Sequence, residues 1–360
     1  MKKCWPAFVG GCVWMAGLVP VRAPAQLVIR NEDAAVKFGV LGQVWGDWNQ
    51  QATGSQNYQQ NFYLRRIRLM VGGEIGKNIS FFFETDDPRL GANPKSLNSG
   101  FLVQDALLEW KADPRFSVVG GLMLVPFSRN TLQSPASYYS LDIGTVTAVN
   151  NIATQSSGLR DVGFEAKGFF LKDKLLYRVG TYSGHREADG HNSLRTAGYL
   201  QYDFFDAEKG YTLVGTALGK QKILAVDAGF DTQGSYRALS ANVAADIPVR
   251  QGDEIGGQVQ YFHYDGRQKF PTIAKQNDYL VEAAYYLGRV KVQPFVRYES
   301  QNFVEAADQA RDIGRYGTGA NYYIRGQNLK WTFQYLRAIP RGPALKPCNE
   351  FTLQFQLFYY

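Results

Sequence analysis

Hydrophobic and polar residues alternate along most of the chain, most clearly between residues 62 and 86. In the first part of this stretch Arg66 and Arg68 fall on one side, and Arg65 falls on the other. Successive side chains of a β-strand point to opposite faces, so the stretch predicts two strands joined by a tight turn at residues 76–78. The apolar face of the first strand then carries Tyr63, Ile67, Leu69 and Val71.

The same alternation recurs in short segments separated by turn residues. Such segments predict an all-β fold. A seventeenth candidate, residues 211–218, is left out, because single-chain bacterial barrels have an even number of strands and its removal puts the long connections on one side. The sixteen predicted strands are residues 36–47, 62–74, 79–87, 102–110, 116–127, 160–170, 175–183, 195–205, 223–231, 237–247, 254–264, 277–287, 290–300, 315–324, 330–339 and 351–360.

The polar faces of these strands carry full charges and many glutamines, which is typical of a water-filled interior. The longest apolar run after the N-terminal region is residues 118–127. A spanning helix needs about 20 apolar residues, so this run is too short for one. Strands can cross a membrane only as a closed barrel, because lipid offers no partner to a free strand edge. We therefore predict a transmembrane antiparallel β-barrel of sixteen strands.

The N-terminus predicts a secreted protein. Residues 1–25 combine Lys2 and Lys3, an apolar stretch and an A-x-A site, as a signal peptide does. Removing the three basic residues of this segment lowers the formal net charge from +7 to +4. This mild charge comes without a basic run, so no nucleic-acid partner is expected. Residues 26–35 are predicted to be a loose segment and residues 36–360 to be the barrel.

Several motifs resemble those of the phosphate-selective porin O/P family of Gram-negative outer membranes. They are FYLRRIR at residues 62–68, the glycine pairs at 72–73 and 120–121, PFS at 126–128, GLRDVG at 158–163 and the aromatic C-terminal strand. The resemblance implies a sixteen-stranded barrel in the bacterial outer membrane, in contact with its lipid and usually trimeric. It also implies passive diffusion of small hydrophilic solutes, with anions preferred and phosphate among them, and a third outer loop that folds inward to narrow the pore.

The third outer loop corresponds to residues 128–159, the longest connection in the chain. Long connections of this kind are often functional. Its only charged residues are Arg129 and Asp142, and Tyr138 and Tyr139 lie between them. We expect these four residues to contribute to the constriction. A phosphate site needs several converging donors, so this composition argues against tight phosphate selectivity.

The basic residues of the polar face are candidates for steering anions. Arg66 and Arg68 lie about 7 Å apart along one strand and could form a short basic ladder. The alternative is a lattice of salt bridges that braces the wall, and the two can coexist. The other predicted pore-lining bases are Lys167, Arg178, Lys291, Arg297 and Lys330. Acidic residues nearly balance them, so charge alone predicts only a weak ion preference, and the resemblance favours anions.

Two other functions remain as alternatives. An outer-membrane barrel enzyme, such as a lipase or protease, would need a catalytic histidine, and His263 lies near a strand end on the predicted lipid face. A structural or adhesion barrel would have a closed lumen. Residues 184–192 contain two histidines and two acids, for which solvated loop residues are favoured over a metal site. The chain has no phosphate loop, cysteine pair or nucleophile elbow, so we predict no cofactor and no catalytic residue.

Overall fold

The computed structural model describes residues 27–53, 56–153, 155, 158–187 and 192–360, and it shows one antiparallel sheet closed into a barrel. The predicted signal peptide lies outside the described residues. The strands are β1 Leu27–Arg30, β2 Ala34–Gln50, β3 Tyr58–Ile75, β4 Ile79–Asp86, β5 Leu102–Asp113, β6 Phe116–Leu124, β7 Arg160–Phe170, β8 Leu175–Tyr182, β9 Arg195–Asp203, β10 Ile223–Gln233, β11 Tyr236–Pro248, β12 Glu254–Asp265, β13 Gln276–Tyr286, β14 Val292–Phe303, β15 Ile313–Tyr323, β16 Leu329–Pro340 and β17 Cys348–Tyr359.

Strands β2 to β17 form the barrel, and β17 closes it by pairing with β2. These sixteen strands are the sixteen that the alternation predicts, and the sequence prediction of the fold is confirmed. Residues 211–218, the candidate that was left out, are not a barrel strand. We call the end of the barrel at which β2 begins and β17 ends the turn side, and the opposite end the loop side.

The barrel is apolar outside and polar inside, as the alternation predicts. Leu69 and Phe164 point outward and are 54% and 72% exposed. Arg66, Glu282 and Gln354 point inward and are buried at 6%, 4% and 2% exposure. Lipid can cover the outer residues, while the inner residues find partners in one another and in the connections that enter the lumen.

A β-bulge in β3 changes the face of two residues. Gln43 of β2 faces Arg66, but the next residue, Val44, faces Leu64, so Arg65 is the extra residue. A bulge reverses the alternation on one side of it. Tyr63 therefore points into the lumen and is 5% exposed, which corrects its predicted place on the lipid face. Arg65, predicted on the opposite face from Arg66, also reaches the lumen.

The predicted loose segment 26–35 contains the short strand β1. It pairs with β2 at positions such as Ile29–Val36. On that edge the pairing of β2 with β17 extends only as far as Val40. The turn-side end of β2 would therefore have a free edge, and β1 supplies its hydrogen-bond partners.

Proline at position 294 causes no register shift between β14 and β15, although its lack of an N–H predicts a bulge. The ladder between β14 and β13 ends one residue away, at the pair Ala284–Phe295. Pro294 thus lies beyond the end of that ladder, where a strand tolerates proline.

Among the described residues, two long connections pack inside the barrel. The loop-side insert, residues 125–159, contains the helices α1 (Arg129–Leu132) and α2 (Thr145–Ala153). The turn-side insert is the connection between β9 and β10, residues 204–222, on the side where turns are short. The loop-side insert contributes Phe127 and Val146 to a buried apolar cluster inside the barrel, whose other members come from β11 to β13 and the connection between β12 and β13. They are Tyr236, Ala238, Phe262, Tyr264, Phe270, Ile273 and Leu280.

Within the described residues, we find no helix with the length and apolarity that a membrane span needs.

Candidate functional site

The loop-side insert is attached to the barrel wall through Asp142. Arg65 Nε donates to Asp142 Oδ2 at 3.0 Å, and an Arg66 terminal nitrogen donates to Asp142 Oδ1 at 2.6 Å. Burial alone would raise the pKa of this carboxyl, but Arg65 and Arg66 outweigh burial and hold the pKa well below its usual value. Asp142 is therefore ionised at neutral pH. Because two guanidinium groups share one carboxylate, this contact keeps one excess positive charge.

The same turn of the loop-side insert is held from the other side of the lumen by β13 and β14. Arg297 donates to the backbone carbonyl of Asp142 at 2.6 Å. Ser140 donates to Glu282 Oε1 at 2.7 Å, and Glu282 lies 3.5 Å from Arg297. Residues 140–142 are consequently held between β3 and β14 by charged groups on both sides.

Arg68 belongs to a lattice of salt bridges on the wall. It contacts Glu84 at 2.7 Å and Asp86 at 2.9 Å, and Arg160 contacts Asp105 at 2.9 Å. These Arg68 contacts agree with the interpretation that salt bridges between neighbouring strands brace the wall. Arg66, in contrast, contacts Asp142 of the loop-side insert. The steering role of these residues stays a prediction.

The other predicted pore-lining bases have different surroundings. Lys167 pairs with Glu109 at 2.9 Å and Arg178 with Glu165 at 2.7 Å. Lys330 is 1% exposed and lies 5.7 Å from the centre of the Tyr323 ring. No carboxylate of the described residues pairs with it.

Lys291 corrects the prediction that it lines the pore. It is exposed, with a φ of 57°, in the turn between β13 and β14, and β14 begins only at Val292. The alternating pattern continues into the turn, so the predicted strand begins two residues too early, at Val290 instead of Val292.

Arg129 joins the two inserts through a buried ion pair. Its terminal nitrogens donate to both oxygens of Glu208, at 2.6 and 3.0 Å. The two side chains are 1% and 2% exposed. Such a bidentate pair is strongly directional, so it fixes α1 against the turn-side insert.

The two predicted tyrosines of the loop-side insert are structural donors in this arrangement. Tyr138 donates to the Gln133 carbonyl at 3.3 Å, and burial raises its pKa to about 12. Tyr139 donates to Asp246 of β11, and its pKa lies well above the usual value because of burial and this carboxylate. Both hydroxyls therefore remain protonated and hold the insert in place.

Backbone hydrogen bonds join the inserts as well. Leu213 N donates to the Leu132 carbonyl at 2.8 Å, and Ser134 N donates to the Leu213 carbonyl at 3.0 Å. The Tyr211 hydroxyl donates to Asp105 at 2.7 Å and so reaches the wall lattice. The sequence analysis did not predict that the turn-side insert enters the lumen. Two signals were available: this connection is long although it lies on the side of short turns, and it contains an apolar stretch that fits no strand.

A cavity of about 1090 Å³ remains between the inserts and the inner face of β2 to β7. It opens on the turn side and extends to the lattice of Arg68 and Arg160. Eight basic and six acidic described residues line it. The basic ones are Arg30, Lys37, Arg68, Lys77, Lys111, Arg160, Lys167 and Lys209.

His263 and the loop residues 184–192, which the sequence analysis considered for an enzyme or a metal site, lie apart from these contacts. His263 of β12 contacts the side-chain oxygen of Asn277 through Nδ1 at 2.8 Å. Of the four loop residues considered for a metal site, Asp189 and His191 lie outside the described residues. No cluster of three or more metal-binding side chains occurs in the part of the chain that the structure describes.

Comparison with known proteins agrees with this architecture. The model of the family described as phosphate-selective porin O and P matches residues 38–197. An anion-selective porin from Comamonas acidovorans has a TM-score of 0.62 at 13% identity, with 91% of this chain and 100% of that chain covered. The outer-membrane channel DcaP of Acinetobacter baumannii has a TM-score of 0.60 at 10% identity, covering 92% and 99%.

A third structure, OmpF of Salmonella typhi, has a TM-score of 0.61 at 12% identity, with 92% of this chain and 100% of that chain covered. No curated protein sequence matches the chain. At these identities the structural matches establish the fold, and the sequence match to the family covers less than half of the chain. Residues 38–197 match the model of the phosphate-selective porin O and P family, and the chain is a porin of the bacterial outer membrane.

Proposed function

We propose that this porin passes small hydrophilic solutes by passive diffusion and prefers anions. The observation that supports this preference most is the contact of Arg65 and Arg66 with the single carboxylate of Asp142. An excess positive charge at a narrow point favours anions and disfavours cations. The lining of the cavity, with two more bases than acids, adds to this preference.

The preference is expected to be general rather than specific for phosphate. Tight phosphate binding needs several donors that converge on one free position. Asp142 already accepts hydrogen bonds from Arg65 and Arg66, and so takes the place that an anion would occupy. Arg68 is likewise engaged by Glu84 and Asp86. Because these carboxylates already pair with the arginines, we expect anions to be attracted only weakly and to pass quickly.

We also propose a homotrimer in the outer membrane. The support is the family resemblance. Native mass spectrometry of the detergent-solubilised protein checks this proposal. A monomer alone, at concentrations where channel activity is full, would contradict it.

The proposal is tested by the reversal potential of the purified full-length protein in a planar bilayer under a KCl gradient. We expect a potential of the sign that chloride selectivity produces. Replacing Arg65 by Gln removes the excess charge beside Asp142, and the chloride-to-potassium permeability ratio should fall about threefold, since one unit charge at about 4 Å in water is worth about 1 kcal/mol before screening by salt.

Arg289→Gln is the matched control, because Arg289 is exposed in the turn between β13 and β14. This variant should retain the wild-type ratio. A cation-selective wild type, or equal ratios in all three proteins, would contradict the proposal.

A further inference from the structure

Three partly exposed aromatic rings face the cavity, where the inner face of a barrel is usually polar. Phe82 points inward from β4, Tyr211 comes from the turn-side insert, and Tyr360 follows β17. The ring of Phe82 lies 5.6 Å from that of Tyr211 and 5.6 Å from that of Tyr360. The three rings therefore form one apolar surface, which we call the ring cluster.

The wall behind the ring cluster is apolar as well. Leu41, Met70 and Leu107 point inward from β2, β3 and β5 and are 2%, 5% and 7% exposed. Gly72 makes room for one of the rings, because a Cβ built there would lie 2.0 Å from the Tyr360 hydroxyl oxygen. The ring cluster is thus supported over several strands and is not a single misplaced side chain.

A lysine lies directly against the ring cluster. Lys37 Nζ is 4.0 Å from the centre of the Tyr360 ring. Among the described residues, no carboxylate pairs with this lysine, in contrast to Lys167, which pairs with Glu109. A lysine ammonium that contacts a ring face keeps N–H donors available for a hydrogen bond to another acceptor. The site thus combines an apolar surface of three mutually tilted rings with a lysine that pairs with no described carboxylate.

Passage of inorganic ions gives no reason for such a surface. Contact of apolar rings with water is unfavourable, so a solute that covers the rings in a wet lumen stabilises the site. A ring with a carboxylate complements both parts of the site, because aromatic rings pair with Phe82 and the carboxylate pairs with Lys37. The cavity volume, about 1090 Å³, is ample for such a molecule.

We propose that the ring cluster and Lys37 form a binding site for small organic anions with an aromatic body, such as aromatic monocarboxylates. This inference rests on the proposed preference for anions and specifies the class of solute. The site lies on the turn side of the constriction, so a solute meets it after passing Arg65 and Arg66 from the loop side.

The test measures the chloride current of the full-length channel while benzoate, acetate or benzyl alcohol is added on the turn side. Benzoate should half-block the current at about tenfold lower concentration than acetate, because only benzoate gains ring contacts. Benzyl alcohol, which has the ring without the charge, should also need about tenfold more than benzoate. These comparisons use the unmodified protein and need no variant.

Two variants then locate the site. Phe82→Leu keeps an apolar side chain but removes a ring, and should weaken benzoate about fivefold with little change for acetate. Lys37→Met should weaken benzoate and acetate alike. Lys275→Met is the matched control, because Lys275 is exposed in the connection between β12 and β13 on the loop side; it should leave every half-blocking concentration unchanged.

The outcomes separate this inference from the proposed function. Equal half-blocking concentrations for benzoate and acetate, in a channel whose reversal potential shows chloride selectivity, would overturn the inference and leave the function intact. Equal blocking by benzoate and benzyl alcohol would also overturn it, because the charge would then contribute nothing. A channel without chloride selectivity would overturn the proposed function on its own.

Discussion

Replacing Glu208 by Gln will destabilise the barrel and raise its single-channel conductance. The guanidinium of Arg129 is 1% exposed, and both of its Glu208 contacts depend on the charge of that carboxylate. Breaking a buried pair by removing one partner leaves an uncompensated buried charge, which typically costs about 3–5 kcal/mol. Most of this cost should appear in the free energy of unfolding, measured by denaturant titration in detergent.

The effect on conductance follows from the position of the pair. Glu208 also accepts a hydrogen bond from Val214 N at 3.1 Å, so it holds the turn-side insert as well as α1. Once released, the insert should leave its place in the lumen part of the time, and the current record should show new, larger and noisier levels. Glu305→Gln, an exposed acid in the connection between β14 and β15, is the control that should change neither quantity. Wild-type stability and conductance in Glu208→Gln would refute the locking role of this pair.

The second large effect is expected for Asp142→Asn, which should raise chloride selectivity. The charge shared by Arg65, Arg66 and residue 142 increases from +1 to +2, and both guanidinium groups become available to a passing anion. One unit of charge at about 4 Å in water corresponds to about 1 kcal/mol, so the permeability ratio should rise about fivefold at low salt and less at high salt.

The variant Asp142→Asn forms a matched pair with Arg65→Gln, because the two changes shift the same local charge in opposite directions. The reversal potential reports the charge, while conductance reports any loosening of the loop-side insert. If the reversal potentials of the two variants shift in the same direction, this contact does not set the ion preference.

The barrel could be predicted from the sequence because alternation is a local property. Each strand shows its own pattern of period two, and a membrane leaves closure as the one way to satisfy strand edges. The inward direction of Arg66 and Arg68 follows from the same pattern. The pattern gives the wrong face where it is interrupted. The bulge at Arg65 turns Tyr63 into the lumen, and Lys291 lies in the turn before β14 and not in the pore wall.

The contacts of the two inserts could not be predicted in the same way. Arg68 meets carboxylates of the adjacent strand β4, so alternation and strand neighbourhood were enough to suggest this lattice. Arg66 meets Asp142 only because 76 residues of chain return into the lumen, and the contact between Arg129 and Glu208 spans 79 residues. Such distant contacts depend on how two inserts pack together, and no periodic pattern records that packing.

The central claim is that ions pass through the cavity between the inserts and the inner face of β2 to β7, and not between the loop-side insert and β11. Ser80 and Ser240 both point inward from barrel strands, but Ser80 lines the cavity, whereas Ser240 donates to the Phe127 carbonyl at 2.6 Å under the loop-side insert. The direct measurement is the current of Ser80→Cys and Ser240→Cys channels, each in a Cys348→Ser background, during exposure to a charged thiol reagent. We predict that the current changes in Ser80→Cys and stays constant in Ser240→Cys. Any response in Ser240→Cys, or no response in Ser80→Cys, would contradict the claim.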